Sequence, residues 1–556
     1  MGQSRKDVEA TKAGMPQKYH YRDTTLPTWR FWALSVGLCL GLFLSMLDAS
    51  IVATSLYTIG IEFDSMDIIN WVALAYTLTY LSCAVLVARV SDVVGRRNAF
   101  LASFIIFFAF SLGCGFAQSL EQLVACRALQ GLGGSGLYSM TMIIFPEVAP
   151  KHLLQFVSSL VGMVIASAGV LGPVLGGILT HYASWRWVFW INGPIGFVSL
   201  LVFYLAWPDA EHLPTLQRRT WKELDFVGSI LLVTASVLVV SSFQNIGTDS
   251  EKWSQAVFIA PVTVGSICFM LLLGWETLIP KLRNNLIMAA IPIGLLRNRV
   301  YLATTFNTML LGFPYLLTIY AFPIHLQIVN GKSSLLAGVL LLPMLGSVAL
   351  GTALGGIVNK SKNRLFETMA IASCFMALGC GLMTTLSSSV DLEPKALGFL
   401  TFVGFGFGLS ATSSTILGAT ESEISDHAPA QAIIAQVRIL GGSLGIAAST
   451  AILGNFIRKD LTGVVSPEYL SSVHGVGMSL TEAQAAAVRQ AYTDSFRKDM
   501  QVGTILSGIG ILLSLGIYRR NRVTFEEQRQ MQIKTEVERR RRASAVTTLV
   551  SSITTD

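Results

Sequence analysis

Charge is scarce in this chain. Asp, Glu, Lys and Arg make up 13% of its 556 residues, against 52% hydrophobic residues, which is about half the charged share of an average soluble domain. A soluble core could not hide that much apolar surface, so a water-soluble globular protein is excluded. The seven cysteines (Cys39, Cys83, Cys114, Cys126, Cys268, Cys374, Cys380) all lie in apolar stretches, with no close pair spaced for a metal. They read as small buried hydrophobes, and neither a zinc site nor a disulfide framework is expected. No G-x-x-x-x-G-K-[ST] phosphate loop occurs, which argues against ATP as the energy source. With no nucleophile–base or metal constellation either, no enzyme and no cofactor are expected. The first thirty residues are polar, so no cleavable signal peptide is expected and the first apolar span would serve as the targeting signal.

What the chain does have is apolar blocks of about 20 residues, the length that crosses a hydrocarbon layer of about 30 Å. Fourteen are read, near 31–57, 69–88, 99–117, 122–145, 156–180, 187–207, 225–244, 256–278, 300–325, 335–358, 366–386, 397–418, 429–456 and 502–518. The fold class expected is an all-α polytopic membrane protein. The polar stretch 458–500 reads as a long loop, with a surface helix over its Ala-rich part from Thr481 to Ala491.

Basic residues set the orientation. With the N-terminus in the cytosol, the inner loops hold Arg89, Arg96, Arg97, Lys151, Arg218, Arg219, Lys222, Lys281, Arg283, Arg297, Arg299, Lys360, Lys362 and Arg364, and the short outer loops only Arg186, Lys252 and Lys332. The acidic inner loop from Glu421 to Asp426 runs against the trend. Much of the net charge of +7 lies in the C-terminal tail, at Arg519, Arg520, Arg522 and Arg539 to Arg542. It therefore implies no nucleic acid; attachment to anionic lipid, at about 1 kcal/mol per basic residue, competes with a solvated tail. Ser544, after the four arginines, is a candidate phosphorylation switch on that contact.

The run from Ala168 to Gly177 places four glycines and Pro173 inside an apolar block. Glycine and proline weaken helix interiors, so a neighbouring helix must approach closely there or the helix must bend. Gly131, Gly133 and Gly136 spell the dinucleotide pattern G-x-G-x-x-G, yet they lie in an apolar block with no preceding strand, so the phosphate turn cannot form. They are read as a smooth packing face, like Gly404, Gly406 and Gly408 later in the chain.

Charges inside the blocks are costly and persist only beside a partner or water. Asp48 in the first block and Arg127 in the fourth, followed by Gln130, are the leading candidates, with Arg438 beside Gln436 in the thirteenth. A helix-to-helix ion pair is the structural alternative. The loop from Ala88 to Asn98 turns at Gly95 and carries Arg89, Asp92, Arg96 and Arg97, a cytosolic clasp in which Asp92 would pair with arginines of its own loop or of a neighbouring helix end. Topogenic charge alone is the alternative.

These segments resemble the major facilitator superfamily, and within it the fourteen-span drug:proton antiporters, including fungal efflux pumps for toxins and secondary metabolites. The resemblance covers about 30–520 and rests on several stretches. The 88–98 loop is similar to the superfamily's gating motif, with Ala88 for a usual glycine and Val93 for a frequent basic residue. Arg127 to Gly133 is similar to the fourth-helix motif, whose arginine is implicated in proton coupling. Gly172, Pro173, Gly176 and Gly177 match the antiporter motif, with Ala168 where a glycine is common. Leu47 to Val52 matches a first-helix motif, with Tyr57 where a proline is usual; Trp185 to Asn192 and Leu440 to Gly445 are further matches.

The resemblance implies two six-helix halves plus two extra helices, with tails at 1–30 and 519–556, bundles at 31–207 and 300–518, and linker helices in 208–299. It implies a proton-coupled exporter of amphipathic small organic molecules, working by alternating access with Asp48 and Arg127 in the proton-linked step. Gln130, Asn307, His325, Gln327, Gln436 and Arg438 are the substrate-cavity candidates. A monomer in the plasma membrane is expected, the vacuolar membrane being the alternative. An importer or vacuolar carrier for siderophores or basic amino acids, and a non-transporting sensor, are the alternative functions.

Overall fold

Hydrocarbon forces each backbone N–H and C=O to find a partner within its own segment, which helices achieve. In a computed structural model most of the described residues are helical, with no strand among them. The structure describes residues 27–532 apart from 64–68, 150–152, 209–219, 222–223, 246–254, 283–290, 360–362, 424–425, 465–480, 521–526 and 529–530. Arg522, Arg539 to Arg542 and Ser544 lie outside the described residues.

Each of the fourteen apolar blocks has its helix. The first half holds α1 (Thr28–Ile51), a short α2 (Leu56–Glu62), α3 (Asn70–Val94), α4 (Arg96–Gly115), α5 (Leu120–Val148), α6 (Leu154–Tyr182), and α7 and α8 (Trp187–Trp190, Asn192–Ala206). The linkers are α9 (Phe226–Asn245) and α10 (Ala256–Leu282), followed by a short α11 (Ile293–Arg297). The second half holds α12 (Arg299–Ile328), α13 and α14 (Ser334–Val339, Leu342–Val358), α15 (Leu365–Met383), α16 (Lys395–Thr420), α17 (His427–Phe456) and α18 (Glu482–Ser514). Thirteen spans among the described residues are long and apolar enough to cross a membrane. The remaining one, α5, has the length at 29 residues but is made less apolar by Gln130, its glycines Gly131, Gly133, Gly134 and Gly136, and Ser135 and Ser139.

The last span departs from the sequence reading. Helix α18 runs unbroken for 33 residues from a capping box in which Thr481 and Gln484 bond each other's backbone N–H. The Ala-rich stretch is therefore the start of the final helix and no separate surface helix. Its charged residues Lys498 and Arg489 sit in the same helix as buried Val488, Ala491, Phe496 and Met500, and averaging the two faces makes an amphipathic helix read as a loop.

In the first half, α1 packs on α6 and α8, and α5 on α3 and α4; in the second, α12 packs on α17 and α18, and α16 on α14 and α15. The dinucleotide-like glycines are packing glycines. A Cβ at Gly133 would collide with the Phe107 backbone of α4, and one at Gly408 with the Val348 backbone of α14. The linker α10 exposes most of its surface and packs on α9.

Contact between halves runs through α6 with α14 and α16, and α17 with α3 and α5. The larger of two core clusters that join them holds Ala430, Ala432, Ile433, Ile434 and Ala435 of α17 with Tyr138, Met142 and Phe145 of α5; the smaller sets Ile439 and Leu440 of α17 with Leu78 and Trp71 of α3 and Val240 of α9. These residues of the larger cluster lie toward the face that bears Arg89, Arg96 and Arg97, called here the basic face. The cluster at the other end of the first half, around Leu47, Ile51, Trp185 and Phe189, draws only on that half. The halves are thus sealed toward the basic face.

Candidate functional site

Asp48 and Arg127 meet in the interior of the first half, both fully buried, with Arg127 Nη1 donating to Asp48 Oδ2. Two helices bring them together: α1 delivers the carboxylate three residues before its end, and α5 delivers the guanidinium two turns after its start. Arg127 also donates to the carbonyls of Val72 (3.0 Å) and Asp48 (3.3 Å) and to Gln130 Oε1 (2.8 Å). Its guanidinium lies 4.2 Å from the Tyr76 ring centroid, a cation–π contact strengthened by the absence of water.

The second carboxylate oxygen is held by a residue that sequence reading did not single out. Asn192, at the break between α7 and α8, donates to Asp48 Oδ1 (2.9 Å) and to Ser111 Oγ (2.9 Å), and Ser111 donates to the Phe189 carbonyl (2.9 Å). The signal was weak: a neutral amide at a helix break resembles many others, although Asn192 closed one of the matched stretches. A buried ion pair needs such extra hydrogen bonds to offset desolvation. Besides the Asp48 carboxylate, Arg127 has three other acceptors: the Val72 and Asp48 carbonyls and Gln130 Oε1.

At the basic face, Gly95 joins α3 to α4 with φ +95°, a conformation that disfavours side chains. Arg96 bonds Asp92 (2.6 Å) and Glu147 of α5 (3.2 Å), and Arg89 approaches Asp92 (3.9 Å) and Asp426 (3.7 Å). Arg97 stacks over Tyr204 at 4.7 Å. Asp426 stands just before α17 in the other half, so the clasp spans the seal. The acidic inner loop is thereby explained: Asp426 meets Arg89, and Glu421 binds Arg519 (2.8 Å) and Asn298 (2.8 Å).

The glycine run on α6 resolves into close approach. Cβ atoms at Gly172 and Gly176 would collide with Ser50 and with the Ile51 carbonyl of α1, whereas one at Gly177 would meet nothing within 4 Å. Ser50 donates to the Ala168 carbonyl (3.1 Å), and Ser55 and Thr180 share a hydrogen bond (2.8 Å). Pro173 lies within the helix, its side chain outside the described ones.

The cavity candidates scatter. Gln130 belongs to the Asp48–Arg127 cluster. Asn307 is buried against α18 and α15, donating to Gly510 O (2.5 Å). His325 is buried with its ring 4.8 Å from Phe496, and Gln327 is half-buried near the same end of α12. Gln436 reaches Ser236 of the linker helix α9 (3.3 Å), and Arg438 donates to Ser414 of α16 (2.7 Å). Of these, Arg438 and Gln436 stand on α17, which faces the other half. Among the described residues no group of His, Cys, Asp or Glu could hold a metal ion.

Comparison with known proteins gives a coherent result. The family model described as Major Facilitator Superfamily matches residues 38–450. The MFS-type transporter FPY5 of Fusarium mangiferae is 30% identical over 88% of this chain and 83% of its own. The efflux pump roqT of Penicillium rubens is 27% identical, covering 88% and 91%, and the aspyridones efflux protein of Neocamarosporium betae is 27% identical, covering 85% and 84%. Among solved structures, the proton:xylose symporter XylE aligns with TM-score 0.58 at 13% identity, over 91% of this chain and all of that one. A bacterial homologue of the lysosomal transporter Spinster aligns with TM-score 0.54 at 16% identity, over 89% and 100%.

Proposed function

Because the chain belongs to the major facilitator superfamily, we propose that it is a multi-pass secondary active transporter exporting amphipathic small organic molecules, of the secondary-metabolite, toxin or drug kind, in exchange for protons. The observation that carries the reading is the sealed Asp48–Arg127–Asn192 cluster, a titratable group held by three helices in the interior of the first half. Fungal relatives named as efflux pumps support the direction of transport. The basic face is the cytosolic one on charge bias, and the plasma membrane is the site of action, with the protein acting as a monomer.

In this mechanism a proton from outside neutralises Asp48 and loosens the α1–α5–α8 junction, while Arg127 keeps its carbonyl and Gln130 acceptors. The clasp at Arg89, Asp92, Gly95, Arg96, Arg97 and Asp426 opens when the halves rock, and the close contact at Gly172 and Gly176 lets α1 and α6 move as one body within the first half. Of the cavity candidates, Gln436 and Arg438 on α17 contribute polar groups to the substrate path, while Gln130 serves the Asp48–Arg127 cluster and Asn307, His325 and Gln327 belong to the second half. One proton falling through 100 mV releases about 2.3 kcal/mol, enough for roughly a fiftyfold gradient of a neutral substrate.

The test is accumulation of a panel of fluorescent lipophilic compounds in inside-out vesicles with and without an imposed pH gradient. Gradient-dependent accumulation that Asp48→Asn abolishes in folded protein supports the reading; full gradient-driven activity in that variant removes Asp48 from the mechanism.

A further inference from the structure

Four carboxylates are buried among the described residues: Asp48, Asp225, Glu276 and Asp499. Asp48 has Arg127 and Asn192. Asp225 accepts from Trp275 Nε1 (2.9 Å) and the Gly228 N–H (2.8 Å), and Glu276 accepts from the Ile291 N–H (2.8 Å); both lie near helix ends. Asp499 stands near the middle of α18 and is 1% exposed. Its Oδ2 meets Ser449 Oγ of α17 at 2.5 Å, and its Oδ1 has no partner.

Among the described residues, its surroundings offer no buried cation. One turn before Asp499, Phe496 meets Phe322 (6.1 Å) and His325 (4.8 Å) of α12. One turn after it, a Cβ on Gly503 would lie 3.2 Å from Pro314 of α12 and 3.3 Å from Cys380 Sγ of α15. Asp499 thus sits in the α12–α17–α18 junction, level with the stretch of α12 between Pro314 and Pro323. The titratable groups presented by its neighbours are Tyr320 and His325 from α12 and Cys380 from α15; Arg458, Lys459 and Asp460, in the π-helical turn after α17, are exposed. A lone charge in such a place costs several kcal/mol, and binding a proton removes the charge. Prolines weaken a helix by removing a hydrogen bond, so the segment of α12 beside Asp499 is the one best able to bend and admit water.

We propose that Asp499 is a second proton-binding site, in the half opposite Asp48, which takes a proton on its unpartnered oxygen from water and returns it to water when the junction opens. The proposal rests on the proton-driven reading above and sharpens it: Asp48 is matched by a fixed cation, and Asp499 is matched by none.

The experiment is infrared titration of the purified full chain in lipid. The carbonyl-stretch band of a protonated carboxylic acid should be present at neutral pH, persist in Asp48→Asn and vanish in Asp499→Asn; an unchanged band in folded Asp499→Asn overturns the proposal. Should Asp499→Asn fail to fold, Ser449→Ala serves instead. Losing the hydrogen bond to the ionised form should raise the pH at which the band disappears by about one unit, and an unmoved titration would overturn the assignment. Vesicle transport by the unmodified protein separates the two ideas. If it shows no dependence on the pH gradient while the band behaves as expected, proton-driven transport fails and the binding site stands.

Discussion

Arg89 Nη2 and Asp426 Oδ1 face each other at 3.7 Å across the join between the halves. Arg89 stands in the last two turns of α3 in the first half, and Asp426 immediately precedes the helix that packs against that half. An ion pair placed there stabilises only the state in which the basic face is shut. The pair has one partner buried and one partly exposed, a setting worth about 1 kcal/mol. Asp426→Asn should shift the balance between shut and open states several-fold toward open, without unfolding the protein. Hydrogen exchange would report it as faster exchange of the first turns of α17; unchanged exchange would mean that the apolar cluster around Ala430 to Ala435 holds the seal alone.

Gly176 and Gly177 are neighbours in one motif and should behave oppositely. A methyl group at Gly176 would strike the Ile51 carbonyl, while one at Gly177 would meet open space. Gly176→Ala should cost about 1–3 kcal/mol through overpacking and impair transport. Gly177→Ala should be neutral or gain up to about 1 kcal/mol from helix propensity. Thermal melts of the two variants in the same detergent decide this, and equal destabilisation would show that the motif acts otherwise than through α1–α6 contact.

Glu62 ties down the opposite face of the first half. It accepts from Trp185 Nε1 (2.5 Å) and pairs with Arg186 (2.8 Å), and Trp185 is 1% exposed. Glu62→Ala strands a buried indole N–H, at about 1–3 kcal/mol, whereas Glu62→Gln keeps an acceptor and should lose less. Melting temperatures that fall equally for both would indicate that the charge, and not the indole contact, carries the effect.

The helices were legible because the bilayer imposes one length on all of them, and Asp48 and Arg127 were legible because a charge inside an apolar run stands out. Asn192 was not, since its importance comes from which oxygen it reaches. Asp499 was hidden differently. It lies among Asp494, Arg497 and Lys498 in a stretch whose mean polarity resembles a loop, and only the three-dimensional path of α18 turns it inward. The acidic loop looked like noise against the orientation rule until its partners Arg89 and Arg519 were located.

The Asp48–Arg127 pair should reveal itself in a double-mutant cycle. Arg127→Ala leaves a fully buried carboxylate with only Asn192 as a donor, and breaking a buried pair in this way costs about 3–5 kcal/mol. Asp48→Asn should cost less, because the amide can still accept from Asn192 or Arg127 and the guanidinium keeps the Val72 carbonyl and Gln130. The double variant Asp48→Asn/Arg127→Ala should therefore be more stable than Arg127→Ala alone, since no unpaired charge remains. Transport driven by a pH gradient should be absent from all three. Recovery of stability without recovery of transport would separate the pair's part in folding from its part in coupling; additive losses of stability would show that the two residues do not interact in the protein as it stands in the membrane.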